Sequence, residues 1–278
     1  MTKKLLFNGC SMTAGDALTW DKYHPDIDWW EHTYLSKPHS KYSRNQITEK
    51  QFNYYTHLRI LDNLAGQVNK LTGLPVADLS EDGNSNQNIC MSTIGFLEEL
   101  SVQERKNYHV CIGWSENSRR LGWNPNNKSF INLNISEIDS IHKIYFHQYI
   151  KESMINRHDI DHIMNYFHNI VSLQNYLKAN DITYTFWNTL NDIKPAVLKN
   201  IKNYKHFKIK PYQHEVIFNQ EDWLLFGDSE HPWLGPPWSW SLLSLDKQIS
   251  EKNRHPSLEA VIELAKKVVA HISTTTET

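Results

Sequence analysis

Short apolar runs alternate along this chain with longer segments in which apolar residues recur at helical spacing. The first run, Leu5-Leu6-Phe7, lies between Lys4 and Gly9 and ends in Gly-Cys-Ser. A run with no polar face predicts a strand covered on both sides, as in a parallel sheet. Leu58, Leu61, Ala65, Val68 and Leu71 then share one helical face, which predicts a helix over 52–71, with Gly73 as its stop and Pro75 beyond. A second strand is expected from Pro75 to Leu79, a helix from Asn88 to Leu100, a third strand from Tyr108 to Gly113 and a fourth from Ile182 to Trp187. Helical patterns also cover 137–153 and 158–179. Pro256 opens a last amphipathic helix through Ile272, since a helix's first turn has no use for the N–H that proline lacks.

The segments between these elements are polar and aromatic. Residues 13–50 form a stretch too long for an ordinary connection, which marks a functional loop or an insertion. Glu81 to Asn86 is a polar turn, and Asn117 to Asn134 is expected to be a loop around Asn-Pro-Asn-Asn. Residues 190–250 show no clear period, and Trp233 to Trp240, broken by prolines, is expected to be loop. Repetition of strand, loop and helix predicts an α/β fold with a parallel sheet. One domain is expected over 1–272, with a disordered tail at 273–278.

Composition narrows the classes of function. With 278 residues the chain can bury a core without disulfide staples, and its three cysteines fit a reducing compartment. Lys and Arg number 29 against 31 Asp and Glu, a net charge of −2, which argues against nucleic acid as a partner held by general phosphate neutralisation. No apolar stretch approaches the roughly 18 residues of a membrane span, so no membrane partner is expected. The apolar part of Met1 to Phe7 is far shorter than the ~7–15 residues of a secretion signal, which makes a cytoplasmic location the expectation. Ten Trp, 13 Tyr and 10 Phe stand against only ten Gly. Such an excess of rings either fills a core or forms a stacking surface.

Ligands of open parallel sheets lie beyond the carboxyl ends of the strands, so the residues that follow each strand are the candidates for chemistry. They are Gly9 to Gly15, Gly83 to Asn86, Gly113 to Asn117, and Asn253 to Pro256 before the last helix. A serine at a strand–helix turn, a histidine on a nearby loop and a glycine N–H that an oxyanion can approach are the parts of acyl transfer.

In this order the segments resemble the blocks of the SGNH, or GDSL-like, hydrolase superfamily. Gly-Cys-Ser-Met-Thr-Ala-Gly is similar to the first block, in the Gly-Cys-Ser-x-Thr variant found in phage and marine bacterial proteins. The resemblance implies a flavodoxin-like three-layer sandwich with long loop insertions. It makes Ser11 the nucleophile and an oxyanion donor, Gly83 a second donor, and His255, where His-Pro-Ser opens the final helix, the base. It implies no cofactor and no metal. Two departures stand out. Ser115 occupies the place of the third block's Asn, leaving Asn86 or Asn117 to supply an amide, or a hole with two donors. Lys252 and Asn253 occupy the places where an Asp usually precedes the histidine; Asn253 would orient an imidazole without stabilising its cation as a carboxylate does. Asp228 and His231, in Asp-Ser-Glu-His-Pro, form an alternative pair.

Trp114, Arg119, Arg120 and Trp123 follow the third strand, where Trp could stack on a sugar and Arg could hold a carboxylate or phosphate. Cys10 is expected to pack at the turn rather than react. His158 and His162 have the i, i+4 spacing of metal ligands but bring no third ligand with them. The function implied is an esterase or deacetylase acting on an acyl ester of a small polar or glycan substrate. The missing Asn and Asp motivate the alternative, a catalytically degenerate binding or assembly module of the same fold, phage-associated and carried in a virion.

Overall fold

β1 (Lys4–Gly9) runs through the middle of a four-stranded sheet whose order is β2 (Val76–Asp78), β1, β3 (Tyr108–Trp114), β6 (Thr183–Asn188). Every pairing is parallel. The computed structural model describes residues 3–15, 61–81, 83–117, 119–124, 129–133, 159–189, 223–224 and 256–276. From β1 the chain passes to β2 on one side and then to β3 on the other. The gap beyond the ends of β1 and β3 is therefore a topological switch point, where the connections diverge and leave a crevice.

Alternation along the strands sorts two cores. Leu5 and Phe7 point to one face and pack with Leu64, Ala65 and Val68 of α2 (Leu64–Thr72) and with Val261, Leu264, Ala265 and Val268 of α6 (Leu258–Thr276). Leu6, Val110, Ile112 and Trp114 point to the other, against α3 (Asn86–Glu98) and α5 (Asp159–Ala179). Strands covered by helices on both faces have no solvated side, which is why they read as unbroken apolar runs. α2 begins where Asn63 Oδ1 accepts from Gly66 N at 2.8 Å, and the same amide donates to Asp78 Oδ2 at 2.6 Å, tying the helix to β2. Two helices are single turns, α1 (Ser11–Ala14) and α4 (Val102–Arg105); α4 is closed by a Ser101–Glu104 capping box.

Three expectations change. Residues 117–134 are not simply loop: β4 (Arg120–Asn124) and β5 (Ser129–Leu133) pair antiparallel, Arg120 opposite Leu133 and Asn124 opposite Ser129. The turn signal is where expected, but its flanks are five residues each, too short for a persuasive alternation. Within 190–250, Trp223 lies parallel beside Phe186, and Leu224 N donates to Phe186 O at 2.9 Å, which continues the sheet beyond β6. The last helix runs to Thr276 instead of ending at Ile272, with Ser273 Oγ donating to Val269 O at 2.9 Å. The helical pattern expected over 137–153 lies outside the described residues.

Candidate active site at the carboxyl ends of β1 and β3

Gly9 ends β1, and the chain turns at once into α1. Cys10 takes the cap position in an extended conformation, with φ −93° and ψ −169°, and its carbonyl accepts from Thr13 N and Ala14 N, each at 2.9 Å. Ser11 is thus the first helical residue and not the cap that its residue type would favour. It is 3% exposed. Gly15 closes the turn in the left-handed region at φ 68°, its N–H donating to Ser11 O at 2.8 Å. Cys10 packs in the core with Leu5, Phe7 and Leu64; Cys90 and Cys111 are also buried, and all three thiols are free of disulfides.

Thr13 explains the glycines. Gly9 and Gly113 are register partners at the ends of β1 and β3. A Cβ on Gly9 would come within 2.3 Å of Thr13 Oγ1, and one on Gly113 within 2.5 Å of the same atom. Thr13 therefore lies across two strand positions that have no side chain, and this fixes the turn that carries Ser11.

Around it runs a network of neutral amides. Asn8, fully buried in β1, donates to Ile89 O at 3.2 Å, Ser92 Oγ at 2.9 Å and Thr93 Oγ1 at 3.0 Å, while its Oδ1 accepts from Gly9 N at 2.8 Å. Asn84 Nδ2 donates to Gly9 O at 3.2 Å, and Asn84 Oδ1 accepts from Asn88 Nδ2 at 2.8 Å. Asn132 Oδ1, on β5, accepts from Ser85 N at 3.0 Å and fastens the hairpin to the start of α3. Gly83 adopts φ 67° in the turn just before, where a side chain would be strained.

Asn86 clamps the third segment. Its Oδ1 accepts from Ser115 N at 2.7 Å, and its Nδ2 donates to Ser115 O at 3.0 Å and Glu116 O at 3.1 Å. Both amide hydrogens are thus directed at backbone carbonyls in this conformation. Ser115 itself is fully buried, and its Oγ has no hydrogen-bond partner.

The other expected site residues divide. Trp114 does not line the crevice: as the last residue of β3 it is wholly buried, edge-on to Tyr166 and Phe186. Trp123 is in β4, opposite Phe130. Arg119 N donates to Glu116 O at 3.3 Å, which places it on the turn that Asn86 holds. Asn117 is on the same turn, half-buried. Arg120 Nη2 lies 3.2 Å from His162 Nδ1, so that ring nitrogen faces a hydrogen-bond donor. Among the described residues no group of three His, Cys, Asp or Glu is placed to share a metal ion. Asn253, His255, Asp228, His231 and His158 lie outside the described residues; Pro256, next to His255, is buried.

Sequence reasoning missed Asn8 and Asn132, and it placed Thr13 and Asn84 in the candidate segments without giving either a role. One signal was available: asparagine is abundant at 26 residues, and Asn8 interrupts an apolar strand where an unpaired amide would be costly.

Two buried titratable groups are strongly perturbed on the α2/α6 face of the sheet. His109 is fully buried, with Nδ1 2.9 Å from Thr183 Oγ1 and Nε2 2.8 Å from Thr185 Oγ1. Burial, then the charges of Lys3 and His271, push its pKa down to about 3, so it is neutral. Burial likewise raises the Cys111 thiol far above its ordinary value, which makes it inert.

The sequence matches no family model and no curated protein. Among solved structures, an acetyl xylan esterase from the rumen bacterium Butyrivibrio proteoclasticus is similar over 99% of this chain, with a TM-score of 0.47 and 12% identity. The chain spans 64% of the length of that protein.

Proposed function

We propose that this chain is a serine hydrolase of the SGNH type that cleaves an acyl ester of a polar substrate, a carbohydrate ester being the first to test. The observation that carries the proposal is the placement of Ser11: first residue of a single turn after a central strand, at the switch point, with Thr13 wedged over Gly9 and Gly113 behind it. In this reading Ser11 Oγ attacks the ester carbonyl while His255 takes its proton. His255 then returns that proton to the departing alcohol, and water, activated by the same imidazole, releases the acid. Asn253 or Asp228 orients the imidazole.

The oxyanion is held by the N–H groups of Ser11 and Gly83 and by the Ser115 hydroxyl, which stands where the family carries a carboxamide. A buried hydroxyl with no acceptor, on backbone fixed at both its N–H and its C=O, is a donor held ready for charge that develops later. Asn86 is then a positioning residue, because its own amide is engaged with the backbone.

The test is hydrolysis of aryl acetates and acetylated glycans by the parent, Ser11→Ala and His255→Ala proteins, with fluorophosphonate labelling of Ser11. Loss of turnover in both variants and of labelling in Ser11→Ala is the expected result. Turnover that survives Ser11→Ala overturns the proposal.

A further inference from the structure

The turn that Asn86 fixes carries a guanidinium with two nitrogens that have no hydrogen-bond partner. Arg119 is held by its backbone N–H on Glu116 O at 3.3 Å, and Glu116 O also accepts from Asn86 Nδ2. Its side chain is only 11% exposed, yet Nε and Nη1 are buried with no hydrogen-bond partner. The nearest carboxylate oxygen, Glu116 Oε2, is 4.0 Å from Nε, beyond hydrogen-bond reach, on a side chain that is 44% exposed. Such a pair is loose and screened by water. A guanidinium offers five N–H donors, and enclosing it without acceptors is costly.

Two other arginines show what a structural role looks like in this fold. Arg105, similarly buried, places Nη1 on Glu98 Oε1 at 2.6 Å and on Tyr176 Oη at 3.2 Å, and Nη2 on Leu100 O at 3.1 Å. Arg120, adjacent in sequence, meets His162 Nδ1 at 3.2 Å. Arg105 and Arg120 each leave Nε unmet but bind through a terminal nitrogen, whereas Arg119 leaves both Nε and Nη1 unmet. It lies six residues past Gly113, whose register partner Gly9 leads into the Ser11 turn, so the chain reaches both from the carboxyl ends of paired strands.

We propose that Arg119 receives a carboxylate of the substrate, so that the ester acted on is an acidic one. A carboxylate supplies two coplanar acceptors that match the guanidinium fork, which an ammonium could not do in place of arginine. This rests on the serine-hydrolase reading for the nucleophile, but the anion site is testable without it.

The matched probes are 3- and 4-acetoxybenzoate and their methyl esters, which differ in the negative charge. Parent protein is expected to hydrolyse at least one carboxylate tenfold or more faster in kcat/KM than its methyl ester. Arg119→Gln should bring that ratio to about one, and Arg119→Lys should fall between, because it keeps charge without the fork. A parent ratio near one, or a ratio unchanged in both variants, overturns the proposal while Ser11-dependent turnover stands. If no ester is hydrolysed, the serine-hydrolase reading fails. Calorimetric titration of Ser11→Ala then decides the anion site: binding of an acetoxybenzoate but not its methyl ester, lost in Ser11→Ala/Arg119→Gln, supports it, and no selective binding overturns it. Thermal melts of each variant identify any that fails to fold, in which case Arg119→Lys alone decides.

Discussion

Thr13 Oγ1 lies 2.5 Å from where a Cβ on Gly113 would stand, so the turn that carries Ser11 rests directly on the neighbouring strand. Thr189 Oγ1 and Trp187 Nε1 close the same space at 2.8 and 2.9 Å. Gly113→Ala is therefore expected to force an overpacked edge, at a cost of about 1–3 kcal/mol. Because the displaced group is part of the Ser11 turn, ester hydrolysis should fall by more than the shift in thermal midpoint accounts for. Melting curves and turnover measured on the same preparation check this.

Asn86→Ala removes the acceptor of Ser115 N and the donor to Ser115 O and Glu116 O. Leaving these groups unmet should destabilise the fold by roughly 1–3 kcal/mol and loosen the segment that carries Ser115 and Arg119. Asn86→Asp keeps the acceptor and loses both donors, so an intermediate loss is expected. Urea titration of the three proteins gives the order.

Ser115→Ala separates chemistry from stability. Its hydroxyl has no partner in the resting structure, so removing it should leave stability unchanged or slightly raised. If the hydroxyl stabilises the oxyanion, kcat falls by about 10²-fold with KM little altered. Steady-state kinetics beside a melting curve distinguish this from a merely structural serine, which would leave kcat in place.

The buried neutral His109 gives the fold a sensitivity to acid. Its pKa is about 3 when folded against an ordinary value of 6.5. Between these two values the unfolded chain binds the extra proton, so this contribution to stability is complete above pH 6.5 and is lost as pH falls toward 3. Its full extent is at most about 5 kcal/mol. Denaturant titrations from neutral pH downward should show a steeper fall in the parent than in His109→Gln, which retains polar contact with Thr183 or Thr185 but has no proton to gain.

The strands were legible because burial on both faces leaves a plain apolar run, as in Leu5-Leu6-Phe7. The Ser11 turn was legible because Gly9, Ser11, Thr13 and Gly15 each meet a local demand: strand end, first helical residue, wedge and left-handed stop. Trp114 was misplaced for a physical reason of one residue. Ending the strand at Gly113 puts Trp114 on a loop near substrate; the observed strand includes it and turns its ring into the α3/α5 core. Three of the tryptophans, Trp114, Trp187 and Trp223, are fully buried, so there the aromatic excess fills the core. The asparagine network was illegible because its contacts join residues far apart in sequence, such as Asn8 and Thr93, and no local period encodes such a pairing.

The frame around Ser11 is built from Asn8, Asn84, Asn86, Asn88 and Asn132. None of these side chains takes up or releases a proton, and none carries a charge for salt to screen. The edge of the sheet should therefore keep its shape across the pH range in which the protein is folded. A pH profile of ester hydrolysis would then report the ionisation of the catalytic base and of bound substrate, undistorted by movement of the surrounding scaffold.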